Sequence, residues 1–352
     1  MLNKIKNYLP HKIEDEFHYG NSKGSFNFLR QLSWNICHPY RLINRVRWLN
    51  FLKTNNKRKE EFKKELETKK FPNFEKCSNE LLEEKFNFYV DNGGVILDEF
   101  FSHQLIDQFH HDYKLIIENM KRLSEDDKKL HVIYKKQVLN LTNSLIKLWL
   151  NDKLLLFIKK SLNEKVFARM YPVLYYSKNN GFEVTSKNIE KLNLKSKVEA
   201  PTGWHIDHTP GLTNLHILLD DIDEDSTHME FLPGSNKYFN MTDGYSDETV
   251  EKFHNKPIKC IGKRGTVYFH NSNTLHRVVS KSNKDRLSLI FSFSPGSGIS
   301  IDSKNISIAL SSNFDLENLD YDKRKVLSAL FPMTRFIEIT DKKITDSKFG
   351  AK

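Results

Sequence analysis

Between residues 204 and 289 the chain reads Trp204-His205-Ile206-Asp207, then Gly265-Thr266-Val267-Tyr268-Phe269-His270, then Leu275-His276-Arg277-Val278-Val279, and last Arg286-Leu287-Ser288-Leu289. Each piece is short and rich in β-branched and aromatic residues. Turn formers such as Pro233-Gly234-Ser235 and Lys281-Ser282-Asn283-Lys284-Asp285 bound them. The same texture predicts strands over 166–176, 203–207, 212–219, 228–232, 258–261, 266–270, 276–279 and 286–293. Many short strands at close spacing predict a mainly β domain, a sandwich or barrel with helices packed outside.

Outside this stretch the pattern turns helical. Ser102 is placed to cap a helix running to about Leu123, and a second helical stretch is expected over 132–162, where Val138, Leu141, Leu145, Leu148 and Leu155 recur at helical spacing. Asp91-Asn92-Gly93-Gly94 reads as a turn before Val95-Ile96-Leu97. The first 81 residues form helical pieces, one over Arg41–Leu52 and a charged one over Lys57–Lys70 that Phe71-Pro72 ends. Beyond 299 the sequence is irregular, with a helix expected near 321–331. The expected organisation is thus a basic helical extension (1–81), a β domain with supporting helices (82–299) and a C-terminal segment packing on it (300–352).

The formal net charge of the 352 residues is +10. Residues 1–80 hold 17 basic and 9 acidic side chains, and residues 17–59 hold nine basic and no acidic ones. The rest of the chain is nearly neutral. Three readings of the basic segment stay open: a solvated helical cap, an anionic membrane surface, or an acidic partner, nucleic acid included. No apolar run approaches the roughly 18–20 residues of a membrane span. Cys37, Cys77 and Cys260 are distant and odd in number, so a disulfide framework or a cysteine zinc site is excluded. That usage suits a reducing, cytoplasmic setting, with peripheral membrane association left open.

The chemistry sits in the opening stretch. On a strand, His205 and Asp207 project to one face. Two imidazoles and one carboxylate on one face of a metal leave the opposite positions open, the arrangement of non-haem Fe(II) oxygenases. The third ligand must come from a distant strand. His276 and His270 compete for it, and spacing favours His276, because a ten-residue hairpin brings Arg286 beside it. Arg286 and Ser288 share a face, and a guanidinium fork with a neighbouring hydroxyl suits the distal carboxylate of 2-oxoglutarate. Trp204 is either a wall beside the ligands or a core tryptophan. Tyr171, Tyr175 and Tyr176 lie on a strand just upstream, where one could hydrogen-bond 2-oxoglutarate or substrate but most tyrosines simply pack, and His208, His216, His228 and His254 are read as surface, core or loop histidines.

Taken together with Leu218-Leu219-Asp220-Asp221-Ile222, Met229-Glu230-Phe231-Leu232-Pro233-Gly234-Ser235 and Gly94-Val95-Ile96-Leu97-Asp98, these blocks resemble the phytanoyl-CoA dioxygenase (PhyH-like) family of Fe(II)/2-oxoglutarate-dependent oxygenases. The resemblance spans about 82–295. It implies a double-stranded β-helix, the jelly-roll or cupin-like fold. It also implies His205, Asp207 and His276 as iron ligands, Arg286 as the 2-oxoglutarate anchor with Ser288 beside it, and O2 as oxidant. Asp207 favours hydroxylation over halogenation. Two departures fall near the site entrance: Asn236 stands where the family commonly has His after Pro-Gly-Ser, and Ser226-Thr227-His228 replaces a usual Asn-Gly. The expected activity is hydroxylation of a small or lipid-like substrate, with 2-oxoglutarate and O2 converted to succinate and CO2. Two alternatives stand beside it: a non-catalytic jelly-roll binding or sensing module, and an oxygenase whose macromolecular substrate docks on the basic N-terminal segment.

Overall fold

The computed structural model describes residues 39–71, 77–126, 131–134, 139–163, 166–168, 172–177, 203–207, 212–237, 244–245, 247–279, 284–294, 307–310, 319–320, 323, 326, 335–340 and 343–347. Most of the basic segment before residue 39, together with Cys37, Tyr171, His208 and nearly all of the helix expected near 321–331, lies outside them.

Three helices come first: α1 (Pro39–Leu52), α2 (Asn55–Thr68) and α3 (Asn79–Asn92). They lead to strand β1 (Gly94–Leu97), helices α4 (His103–Asp112) and α5 (Lys114–Asp126), and strands β2 (His131–Tyr134) and β3 (Leu139–Leu141). Helices α6 (Asn143–Trp149) and α7 (Asp152–Ser161) follow. The β region then runs through β4 (Phe167–Ala168), β5 (Val173–Ser177), β6 (Trp204–His205), β7 (Thr213–Leu218), β8 (His228–Phe231) and β9 (Gly244–Tyr245). After the short α8 (Asp247–Val250) come β10 (Ile258–Cys260), β11 (Val267–Asn271), β12 (His276–Val279) and β13 (Arg286–Ser294). Strands β14 (Ser307–Leu310), β15 (Arg335–Thr340) and β16 (Lys343–Ser347) close the described chain.

Helix starts obey local chemistry. Ser78, Ser102, Thr142 and Asn151 each accept a hydrogen bond from the amide three residues on, which satisfies a donor that the helix leaves free. Gly93 ends α3 in the left-handed region at φ 78°, and a Cβ there would collide with the Thr274 hydroxyl and the Asn236 side chain. The single helix expected over 132–162 is instead two strands followed by two helices. Its first residues pair along β5, as Val132 with Tyr176 and Tyr134 with Leu174, so sheet extension overrides the helical spacing.

Two sheets face each other as a jelly roll. The larger has the order β1-β11-β7-β13-β5-β2, with β4 also pairing β13. The smaller has the order β10-β8-β12-β6-β9. A further sheet joins β16, β15, β14 and β3. The register of the large sheet sorts its side chains into two faces. Leu97, Val267, Phe269, Leu215, Ile217, Leu289 and Phe291 pack with the helices in one apolar core. Phe62 of α2 belongs to that core, stacked on Phe86 at 4.0 Å and edge-on to Phe157. The alternate residues of the same strands turn toward the small sheet and build the site.

The end of the basic run is used inside the protein. Arg58 is buried, donates to the Ser161 carbonyl at the end of α7, and lies 4.2 Å from the Phe51 ring. Lys59 pairs with Asp91 at 2.7 Å. Among the described residues no helix is long and apolar enough to cross a membrane.

Candidate active site

His205 ends β6, and His276 opens β12 directly across from it in antiparallel register. Their rings lie 4.2 Å apart. Asp207 lies just beyond the strand, its amide donating to the Ser272 carbonyl at 2.8 Å, and its Oδ1 is 3.7 Å from His276 Nε2. One donor atom from each of His205, Asp207 and His276 lies within 4.8 Å of the other two. Each imidazole is also fixed from behind. His205 Nδ1 meets the Gly203 carbonyl at 2.9 Å, and His276 Nδ1 meets the Thr274 carbonyl at 2.8 Å. A carbonyl only accepts, so both Nδ1 atoms carry the proton and both Nε2 lone pairs are left for a metal.

The segment before His276 is held by the Pro-Gly-Ser turn. Ser235 Oγ donates to the Leu232 carbonyl at 2.6 Å and accepts from the Leu275 amide at 2.9 Å. Thr274 Oγ1 donates to the Gly93 carbonyl at 2.8 Å, which ties the same segment to the end of α3. The Trp48 indole donates to the main-chain oxygen of Asn236 at 2.9 Å, so α1 is docked on this turn. Asp207 has its own support: Asn214 Nδ2 donates to Oδ2 at 2.8 Å, leaving Oδ1 as the inward oxygen.

Arg286 starts β13 and is 3% exposed. Its Nη2 donates to the Tyr268 hydroxyl at 3.0 Å, and the Tyr175 ring lies 5.7 Å from the guanidinium. Ser288 is fully buried on the same face. Arg286 Nε and Ser288 Oγ have no hydrogen-bond partner among the described residues. Leaving such groups unmatched costs about 1–3 kcal/mol each, and a ligand carboxylate would match both.

His270 is not in the three-residue cluster. Its ring lies 4.2 Å from that of His276, and its Nε2 is 3.2 Å from His216 Nε2. Burial, then the neighbouring Arg286 and His276, hold His216 well below the usual histidine range. Burial, then His276, His216 and His205, do the same for His270. Trp204 turns away from the cluster and stacks with the Arg277 guanidinium at 4.6 Å. Asn214, Tyr268 and Ser235 support the candidate residues and were not singled out from the sequence, whereas His216 is buried, as a core histidine would be. Asn214 had a readable signal, since it and His216 are two polar residues spaced by two on a predicted strand.

The fold and this cluster define a class: a jelly roll carrying two histidines and a carboxylate where β6 meets β12, and a buried arginine at the start of β13. The sequence profile of the phytanoyl-CoA dioxygenase (PhyH) family matches residues 89–287, more than half of the chain. The chain belongs to that family and is an Fe(II)/2-oxoglutarate-dependent enzyme. No curated protein sequence matches it. Among solved structures it is similar to the α-ketoglutarate-dependent epimerase SnoN from nogalamycin biosynthesis, at 13% identity and TM-score 0.41 over 62% of this chain and 84% of that one. It is also similar to EctD from S. alaskensis with 2-oxoglutarate and 5-hydroxyectoine, at 15% identity and TM-score 0.44 over 64% and 78%. A third is the carbocyclase SnoK, at 13% identity and TM-score 0.39 over 60% and 86%. At these values the three carry no argument about the reaction.

The residues fit the family's metal and co-substrate. Two imidazole nitrogens and one carboxylate oxygen are a donor set suited to Fe(II) with open positions. The unmatched Arg286 and Ser288 atoms suit a carboxylate.

Proposed function

We propose that this enzyme hydroxylates a small or lipid-like substrate, with His205, Asp207 and His276 binding Fe(II) and with Arg286 and Ser288 binding the distal carboxylate of 2-oxoglutarate. The observation that carries this reading is the convergence of the three donor atoms within 4.8 Å. Bound Fe(II) with 2-oxoglutarate supplies the oxidising chemistry, consuming O2 and yielding succinate and CO2. The chain's own work is positional. The Gly203 and Thr274 carbonyls orient the two imidazoles, Asn214 holds one carboxylate oxygen of Asp207, and Tyr268 holds Arg286. Tyr268, Phe231 and Leu218 pack in one buried apolar cluster, which fixes the tyrosine that holds Arg286. The buried thiols of Cys77 and Cys260 support a reducing, cytoplasmic setting.

The test is succinate formation from 2-oxoglutarate by the full chain with Fe(II) and O2, followed by trials of small and lipid-like substrates. Wild type is expected to form succinate, and Asp207→Ala to form none. Equal succinate formation by both would overturn the reading.

A peripheral contact with an anionic lipid surface is a second element of this reading. Ile43 and Val46 are half-exposed one helical turn apart on α1, beside the exposed Arg47. Ile43→Ser with Val46→Ser is expected to lower cosedimentation with phosphatidylserine vesicles. Unchanged cosedimentation of that variant, or none by wild type, would remove this element.

A further inference from the structure

The two histidines of the cluster sit on a strand pair with a short ladder. Strand β6 is Trp204–His205, and it meets β12 at one register pair, His205 with His276. By contrast, β7 meets β11 over five register pairs and β13 over six. Holding His205 opposite His276 therefore calls for support from outside the ladder.

The reverse face of the small sheet supplies it. Neighbouring residues on a strand alternate faces, so Trp204 and Arg277 lie together behind the His205–His276 pair. The Arg277 guanidinium carbon is 4.6 Å from the centre of the Trp204 ring. The same guanidinium is held from two other sides. Its Nε donates to Glu230 Oε2 at 3.1 Å, with Nη2 3.0 Å from that oxygen, and its Nη1 donates to Asp247 Oδ1 at 2.8 Å. Glu230 stands opposite Arg277 on β8. Asp247 opens α8 two residues after β9, the other neighbour of β6. One planar cation thus joins β8, β12 and β6 to α8, directly behind the candidate ligands. We propose that Arg277 is a positioning residue for the metal site: fixed by Glu230 and Asp247, it holds Trp204 and so keeps His205 opposite His276. This assignment rests on the metal reading above.

The test is calorimetric titration of Mn(II) into the full chain, each variant being assayed where its urea melt shows it folded. Arg277→Met keeps the aliphatic stem and removes the cation. The Arg277 side chain is 26% exposed, so this change opens no buried cavity. Loss of a positive charge near a cation site by itself strengthens binding, so weaker binding reports geometry. Arg277→Met is expected to weaken Mn(II) about tenfold, the low end for loss of an outer partner. Arg277→Lys, which restores a cation over the ring, is expected within about threefold of wild type. Trp204→Leu should also lose about tenfold, and the double variant no more than either single one, because both remove the same contact. Unchanged or tighter Mn(II) binding by Arg277→Met overturns the proposal. A lysine variant as weak as Arg277→Met also overturns it, and so do multiplied losses near a hundredfold in the double variant, since Arg277 would then act without Trp204. Wild type that takes up no Mn(II) would instead refute the underlying metal reading.

Discussion

The two faces of the large sheet are built from the same strands and differ in almost everything else. Toward the helices, Phe269, Leu215, Ile217, Leu289 and Phe291 make a dry core that continues into Phe157, Phe86 and Phe62. Toward the small sheet, their alternates His270, His216, Ser288 and Arg286 are buried yet polar, and Asn214 is half-buried. The helix-facing side is almost wholly apolar, with the Trp149 indole stacked on Phe291 at 5.8 Å. The other leaves Arg286 Nε and Ser288 Oγ without a partner among the described residues. The period of two along a strand thus separates stability from chemistry one residue at a time. A substitution on one face should therefore be nearly silent on the other.

The largest expected effect is on the dry face. Phe269→Ala removes a ring stacked at 4.4 Å on Phe157 and should cost about 3–5 kcal/mol of stability. Urea melts would measure it, and the protein that remains folded should keep wild-type Mn(II) affinity. A matching loss of metal affinity would break the separation of faces.

On the polar face, Arg286→Ala should weaken 2-oxoglutarate by about 10–100-fold, the value of charge-assisted hydrogen bonds, and leave metal affinity unchanged. Calorimetry with the Mn(II)-loaded chain would show it. Asn214→Leu frees Asp207 Oδ2 and should weaken metal about tenfold, at the low end for loss of an outer partner, with little change in the melt. A normal metal affinity in that variant would mean that Asp207 needs no support.

The smallest effect lies outside both faces. Hydrogen bonds from Lys284 and then Ser226 hold the exposed Asp223 carboxyl down at about 2. A depressed folded pKa adds stability above the unfolded value and loses it as pH falls from near 4 toward 2. The exposed position limits this to about 0–1 kcal/mol. Stability curves of wild type and Asp223→Asn should therefore converge as pH drops through that window. Curves that stay parallel would assign the pair no role.

Much of this was legible before the fold. Apart from β9 (Gly244–Tyr245), which was not expected, the strands from 203 to 294 fall within about two residues of their expected places, because alternation and turn residues agree there. Likewise, spacing favours His276 over His270, and it is His276 that lies with His205 and Asp207 in the three-residue cluster. The 132–162 stretch could not, since its leucines suit a helix and only pairing with β5 makes its start a strand. The turn at Ser235 acts on an amide 40 residues away, a contact that no local pattern carries. The basic segment also divides on inspection. Arg58 and Lys59 are internal ties, whereas Arg47 faces solvent.

The central claim is that three residues, and not their buried histidine neighbours, hold the metal. Fe(II) binding by the full chain under anaerobic conditions tests it most directly. One ion per wild-type chain is expected, with binding lost in His205→Ala, Asp207→Ala and His276→Ala by more than the ~100-fold that an outer partner can cost. His270→Phe should bind as wild type does. Full binding by His276→Ala together with its loss in His270→Phe would contradict the account.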